Sequence, residues 1–501
     1  MDRVLRTYFK YRQQRIAAVL ADPFPYQERI LSRILKANRH TAYGRALDFE
    51  KISSYRDYCS AVPVVDYESI YPFIARMMEA EPKVLVSDPV SWFAKSSGTT
   101  NDRSKYLPIT RNYLTSGHLK CTWFTASAIY NENPGAKLFK DKNLIMVGSL
   151  EQRPHGITVG DISAIMLHHY PKIGRGFSTP DIDIALIPDW DEKISRIAEL
   201  CIHERVTLLG GVPTWTLVLF KKILEITGKQ NILEVWPNLQ AYMHGGVSFK
   251  PYVEQFKQFI PNADFAYQEV YNASEGYFGA QDDLSDQGML LFLDNGIYYE
   301  FLPADQWNLE NPRAIGLEEV ELGVNYAIVI TTNSGLWRYL PGDTVMFTSN
   351  SPYRIKVTGR TKHFVNAFGE EVMVENTDMA LAKTCMQTGT IVNEYTVAPV
   401  YFQGGNKGGH QWLIEFERAP ADMRLFNELL DKNLQQINSD YEAKRTNNMA
   451  LEQLQLNVLP KNTFMNWMKS KGKFGGQNKI PRLANHRQYI DEILLFVGEQ
   501  I

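Results

Sequence analysis

The chain has 501 residues, with 53 lysines and arginines against 56 aspartates and glutamates, a formal net charge of −3. At ~150 residues per domain that length implies several domains, and the near-even charge argues against a dedicated nucleic-acid binder, which carries a basic excess. A composition of 44% hydrophobic and 22% charged residues excludes a disordered chain, and no apolar run reaches the ~18 residues of a membrane span.

Arg3, Arg6, Lys10, Arg12 and Arg15 interrupt every early apolar run, so no signal peptide is read there and the expected setting is cytoplasmic. Leu5, Tyr8, Phe9, Ile16 and Val19, then Ile30, Leu31, Ile34 and Leu35, recur at helical spacing and predict two core helices within the first forty residues. From Asn143 to Tyr271 short apolar runs alternate with helical patterns. The runs 144–147, 206–209, 239–243 and 263–271 read as strands, and 192–204, 216–226 and 252–260 as helices. That alternation predicts an α/β domain with a mainly parallel, helix-covered sheet.

The pattern then changes. Runs 289–293 and 297–302 flank Asp294-Asn295-Gly296, and 326–331 and 336–339 flank Asn333-Ser334-Gly335, which predicts two β-hairpins and an antiparallel section. After Gly359 the order is strand-like 365–371, helix 376–386, strands 394–402 and 412–417 around a glycine-rich loop, one long helix 420–443, and strand 454–459. This is a small α+β unit, a split sandwich of ~140 residues. The expected domains are 1–358 and 359–501.

Five segments have side chains suited to phosphate or nucleotide chemistry. Ser96-Ser97-Gly98-Thr99-Thr100, ending at Lys105, offers hydroxyls, backbone N–H groups and a cation for an anion, although it is not a Walker loop. Tyr271-Asn272-Ala273-Ser274-Glu275 closes a predicted strand, where open α/β sheets bind ligands. Asp343, after Pro341-Gly342, is a carboxylate fit for a ribose diol. Arg360 and Lys362 sit on the domain boundary. Lys469, Lys471, Lys473, Lys479 and Arg482 form an acid-free, glycine-containing stretch suited to transient capture of phosphate charge. Taken singly, each is more often an ordinary turn or a solvated face.

Cys59, Cys121, Cys201 and Cys385 stand apart, without zinc or redox spacing, and read as reduced thiols. His168-His169 diverge on any regular element, and no HExxH occurs, so a metal site built from protein ligands alone is not expected.

The order of the five segments is more specific than any one of them. It resembles the adenylate-forming superfamily of acyl-CoA synthetases, luciferases and nonribosomal adenylation domains. More closely it resembles the auxin-responsive acyl-acid amido synthetases of plants and their bacterial relatives. The closer likeness lies in Ser96-Ser97, Asn38…Thr41-Ala42-Tyr43-Gly44-Arg45, Val62-Pro63-Val64…Tyr67-Glu68, Gly211-Val212-Pro213-Thr214-Trp215 and Lys479-Ile480-Pro481-Arg482.

The resemblance implies a large N-terminal adenylate-forming domain and a small mobile C-terminal domain hinged near Gly359. It implies ATP and Mg²⁺, with a small carboxylic acid and an amino acid as substrates; from the charge and apolar runs neither nucleic acid nor membrane is expected as a partner, and the expected state is a monomer or weak dimer. By the same likeness Ser96, Ser97, Gly98, Thr99, Thr100 and Lys105 line the phosphate loop. Gly245, Gly246 and Tyr271 lie near adenine, Ser274 is a further nucleotide-binding residue, Glu275 helps to hold Mg²⁺, and Asp343 binds the ribose. Arg360 and Lys362 approach from the hinge, and Lys479 enters during adenylation.

Trp123, Phe124, Val212, Pro213 and Trp215 are the expected acyl-pocket wall. They suit an aryl or indole-like acid, although such residues also build ordinary cores. Two positions depart from the pattern. Asn101-Asp102 stands where a second glycine is usual, and Lys362 replaces an aspartate common in the wider superfamily, which favours the amido-synthetase branch. An acyl-CoA or aryl-CoA ligase, and a non-catalytic nucleotide-binding member, are the alternative readings.

Overall fold

The computed structural model describes residues 2–96, 105–307, 309, 311–361, 364–365, 370, 372–401, 408–445, 451–472 and 479–498. Contacts divide the chain into two units: Met1–Val247 with Phe259–Lys356, and Ser248–Gln258 with Val357–Ile501. Among the described residues no helix is long and apolar enough to cross a membrane.

The first unit is built on an eleven-stranded sheet. Ser178–Thr179, Lys142–Ile145, Val206–Gly211, Ala241–Gly245 and Ala266–Asn272 lie side by side and run parallel. Their apolar runs and the intervening helices Trp190–Cys201 and Pro213–Thr227 follow the predicted alternation. Antiparallel pairing begins at Tyr277–Ala280 and continues through Met289–Leu291 to Tyr353–Arg360. Asp343–Asn350, Asn325–Thr332 and Ile297–Pro303 complete the sheet. A smaller sheet orders Lys105–Ile109, Trp92–Ser96, Thr158–Gly160 and Leu150–Gln152.

The antiparallel section exists, but its first predicted hairpin does not. Met289–Leu291 pairs with Tyr277–Ala280 and Tyr353–Arg360, whereas Ile297–Pro303 pairs with Asn325–Thr332. Asp294-Asn295-Gly296 therefore connects two strands that are not neighbours. Asn295 explains why: its buried amide donates to the Tyr277 carbonyl at 2.8 Å and to the Tyr299 hydroxyl at 3.0 Å, so it serves as a core tie. The second turn does fold the chain back. Thr332 N–H donates to Leu336 O, and Ile330 and Tyr339 exchange both backbone bonds.

Early helices pack on this return. The helices Phe24–Asn38, Tyr55–Ala61 and Tyr67–Met78 contribute to one core around Trp337 and Tyr339. Asn38 is buried and accepts the Ser87 N–H at 2.7 Å. Thr41 caps the helix Ala42–Ala46 by accepting the Gly44 N–H at 2.9 Å. A Cβ on Gly44 would lie 2.3 Å from the Asn38 carbonyl oxygen, so the glycine is required for this corner to close. Tyr43 stacks on Trp337 at 6.1 Å, and the Trp337 indole donates to Leu85 O at 3.0 Å.

Arg338, between Trp337 and Tyr339, is held at φ 40°, a left-handed conformation uncommon for a side-chain-bearing residue. Its guanidinium is buried and bidentate to Glu300, at 3.0 and 2.8 Å, and also donates to Val62 O at 2.8 Å. Val65 N–H donates to Arg338 O, and Leu340 N–H to Val65 O.

In the second unit Ile391–Tyr401 and Gly408–Arg418 are antiparallel, and Gln455–Leu459 adds in parallel. Tyr395 stacks on Trp412 at 5.4 Å in the core. Of the expected strand 365–371, Val365 lies in the short strand Phe364–Val365, antiparallel to Val372–Met373, while 366–369 and 371 lie outside the described residues. The single helix expected over 420–443 is two, Met423–Ile437 and Ser439–Arg445. Asn438 breaks it with an extended backbone, and its side-chain oxygen accepts the Tyr441 N–H at 2.7 Å.

Residues 248–258 join this unit, although the boundary expected at 358 leaves them in the first. Gln255 donates to Val392 O at 2.8 Å, and the Arg482 guanidinium lies 5.7 Å from the Tyr252 ring centroid and donates to its hydroxyl. Arg482 is therefore no solvated cation. It pairs with Glu394 at 2.9 Å and sits 4.5 Å from the Tyr395 ring centroid.

Removing one member of a buried ion pair strands the other charge. Arg338→Ala is expected to lower stability by about 3–5 kcal/mol, read as a fall in the urea midpoint. Glu300→Gln with Arg338→Met together is expected to cost less than Arg338→Ala alone.

Candidate active site

The carboxyl ends of three neighbouring parallel strands carry residues singled out in the sequence. Val206–Gly211 delivers Val212 and Pro213, Ala241–Gly245 delivers Gly246, and Ala266–Asn272 delivers Tyr271 and the turn through Glu275. This is the rim where open α/β sheets place ligands.

Gly245 has a reason of its own to be glycine. A Cβ there would lie 2.3 Å from the Val270 carbonyl oxygen on the neighbouring strand. Gly246 has φ +82°, which glycine adopts freely.

Tyr271 and Asp343 are joined directly. The Tyr271 hydroxyl donates to Asp343 Oδ2 at 2.8 Å, and both residues are buried. Asp343 opens the strand Asp343–Asn350 just after Gly342, whose φ is +94°. The Pro-Gly turn thus aims the carboxylate at the strand-end tyrosine, 72 residues away in sequence.

Ser274 and Glu275 are also buried, at 5% and 4% exposure. The Glu275 carbonyl accepts the Tyr113 hydroxyl. A Cβ on Gly276 would come within 2.6 Å of that hydroxyl, so Gly276 makes room for the bond.

Ser96 and Lys105 are register partners at the ends of two antiparallel strands, Trp92–Ser96 and Lys105–Ile109. Lys105 Nζ lies 5.6 Å from the Tyr67 ring centroid, and the Tyr67 hydroxyl accepts the Tyr106 N–H at 2.8 Å. Tyr67 therefore packs beside the strand pair that ends at Ser96 and Lys105. Ser97, Gly98, Thr99 and Thr100 lie outside the described residues, as does Lys362. In the second unit Arg360 ends the strand Tyr353–Arg360. Lys479 precedes a stretch zipped to Ile391–Tyr401, in which Thr396 donates to Pro481 O and Val397 N–H to Arg482 O.

The five expected pocket residues do not form one cluster. Trp123 packs with Phe9 and Phe139, while Phe124 packs edge-on to Phe292 at 5.0 Å in a separate core. Both are accounted for as packing residues on the helix Lys120–Glu132. Val212 and Pro213 start the helix Pro213–Thr227, and Trp215 meets Trp190 at 4.8 Å. Beneath Trp190, Lys193 is buried and donates to Val147 O and Gly148 O at 3.0 and 2.8 Å. Burial lowers its pKa to about 8, against a smaller opposing effect of Asp161.

Two site neighbours had no role in the sequence reading, Tyr113 and His118. His118 is fully buried, and its Nδ1 meets Asn272 Oδ1 at 2.9 Å. It lies in a π-helical turn, Leu114–Leu119, within an otherwise α-helical stretch. Gly117, inside that helix, was the one readable signal of irregularity. A Cβ there would stand 3.1 Å from Asn295 O.

Burial lowers the His118 pKa to about 4, with the Asn272 bond opposing, and lowers that of His244, beside Gly245, to about 3. Both rings are neutral when folded, while the unfolded chain takes up protons near 6.5. Their contribution to stability is complete above pH 6.5 and is lost as pH falls toward 4 for His118 and 3 for His244. The urea midpoint is expected to fall across that window, and His118→Asn to flatten its upper part.

Comparison with known proteins places the chain in a family and matches its fold. The GH3 family N-terminal domain matches residues 12–189 and 177–265, the central domain 290–360 and the C-terminal domain 375–488. The indole-3-acetic acid-amido synthetase GH3.4 of Arabidopsis thaliana is 25% identical, over 94% of this chain and 91% of its own length. The jasmonoyl-L-amino acid synthetase JAR4 of Nicotiana attenuata is 23% identical over 64% and 66%. Among solved structures, the GH3.15 acyl acid amido synthetase in complex with 2,4-DB shares the fold at TM-score 0.81 and 19% identity, over 98% of this chain and 97% of its own. A 2-hydroxyisobutyryl-CoA ligase with 2-HIB-AMP does so at 0.62 and 13%, over 94% and 92%. With all three of its domains matched along most of its length, the chain belongs to the GH3 family.

Proposed function

We propose that this protein is an ATP-dependent ligase that joins a small carboxylic acid to the amine of an amino acid through an acyl-adenylate. The observation that carries the reading is the Tyr271–Asp343 hydrogen bond at the carboxyl rim of the parallel strands, beside buried Glu275. A carboxylate there suits the hydroxyl pair of a ribose, and a ring beside it suits a base. The names of the relatives, amido synthetases of indole-3-acetic acid and jasmonoyl-amino acid synthetases, support the amide-forming branch.

A carboxylate oxygen of the acid attacks the α-phosphorus of ATP, and the bond to pyrophosphate breaks. The amine then attacks the acyl carbon, the bond to AMP breaks, and the amine proton leaves to solvent. The protein's task is alignment and neutralisation of developing charge. The first unit carries the ATP and acyl-acid sites, and the second, 357–501 with 248–258, is the mobile part. Ser96 and Lys105, with the residues between them, hold phosphate oxygens, and Gly245 and Gly246 offer bare backbone to adenine. Arg360 and Lys362 approach the nucleotide from the hinge.

Magnesium accompanies ATP. Glu275, a buried carboxylate, offers the hard oxygen donor that it takes, and the phosphates supply the rest. Of the expected pocket wall, Val212, Pro213 and Trp215 remain candidates for an aryl or indole-like acid, because they sit at a strand end. The enzyme works in the cytoplasm as a monomer or weak dimer.

The test is pyrophosphate release from Mg-ATP across aryl and aliphatic acids, with and without twenty amino acids, and with CoA separately. Release raised by amino acids, with an amide in the mass spectrum, is expected. Release raised only by CoA would move the protein to the thioester ligases. Lys479→Ala is expected to cut acid-dependent release by roughly 10²–10³-fold while leaving ATP binding nearly unchanged; full release by that variant would remove Lys479 from the reaction.

A further inference from the structure

The helix beginning at Arg111 holds the turn after Tyr271 at two points. Tyr113 donates through its hydroxyl to the Glu275 carbonyl, and His118 meets the Asn272 side chain at 2.9 Å. In a regular α-helix residues five apart point about 140° away from each other. They could not both reach one short turn. The π-turn Leu114–Leu119 removes that mismatch, since its i to i+5 bonding brings such residues over one another. The Tyr113 and His118 rings indeed meet edge to face, with centroids 5.3 Å apart.

The histidine contact has a defined direction. Asn272 Oδ1 is an acceptor, so Nδ1 carries the proton, while the Asn272 amide nitrogen faces Met166 Sδ at 3.5 Å. His118 Nε2 has no hydrogen-bond partner among the described residues. On either side of the held turn are the two groups that the nucleotide reading uses, Tyr271 with its bond to Asp343, and Glu275.

We propose that the π-turn makes His118 a positioning residue, fixing Asn272 through Nδ1 while Tyr113 fixes the Glu275 carbonyl, so that Tyr271 and Glu275 meet Mg-ATP in one geometry. The proposal rests on the nucleotide reading of that rim. His118 touches neither substrate nor reacting atoms, and its effect passes through Asn272.

Three substitutions separate this role from simple packing. Asparagine places its amide nitrogen near the Nδ1 position, glutamine places its own near Nε2, and leucine fills space without a donor. Asparagine also removes the most volume, so packing alone ranks His118→Asn as the worst of the three. The proposal ranks it best for nucleotide binding.

Mg-ATP affinity by calorimetry and thermal midpoints would be measured on the full chain, with amide exchange of residues 272–276. His118→Leu and His118→Gln are expected to weaken Mg-ATP binding about tenfold and to speed exchange in that turn. His118→Asn is expected to stay within about threefold of wild type even if its thermal midpoint is the lowest. Equal losses in all three His118 variants, or losses that follow the thermal midpoints, would overturn the proposal while leaving the ligase reading intact. A wild-type protein that binds no Mg-ATP would overturn both.

Discussion

The Arg338–Glu300 pair is the constraint on which the first unit is built. A guanidinium taken out of water must find a charge and fill its donors, and here it meets one carboxylate with two bonds and a backbone carbonyl with another. Its backbone must enter a left-handed conformation to do so. Five residues later stands Asp343, at the start of its strand. The return of the chain through Trp337 to Tyr339 thus links three things: the corner made by Asn38, Thr41 and Gly44, the stretch Val62 to Val65, and the carboxylate that meets Tyr271. Stretches that look like separate sequence signatures are parts of one packing arrangement.

Site and scaffold share residues for the same reason. Gly245 and Gly276 are needed by the neighbouring strand and by the Tyr113 hydroxyl, whatever ligand arrives. A glycine at a strand end is therefore weak evidence of nucleotide contact on its own. The link between Tyr271 and Asp343 is stronger evidence, because two buried polar groups far apart in sequence meet at the rim where ligands bind.

Much of the fold was legible because it is local. The alternation of apolar runs and helical stripes between Asn143 and Tyr271 gave the parallel half, and the turn residues gave the antiparallel half. Pairing was not legible. The pattern 289–302 says that two strands exist, but Asn295 spends its turn-forming side chain on Tyr277 and Tyr299, and the partners come from elsewhere. Tyr271, Glu275 and Asp343 could be named from their order along the chain. His118 could not, since its place depends on a π-turn with no sequence signature beyond Gly117. Aromatic side chains at Trp123 and Phe124 suit a pocket wall and a core equally, and the structure packs both into cores.

Residues 248–258 carry a consequence for how the two units are connected. The segment leaves the first unit after Val247 and re-enters it at Phe259, while packing with the second. The chain therefore crosses between units three times, not once. Cutting the gene at the apparent boundary would yield neither unit whole. A fragment starting at 357 would lack Tyr252 beside Arg482 and Gln255 on Val392. The units are genetically interlaced, so in evolution they could be exchanged between relatives only together with this eleven-residue insert.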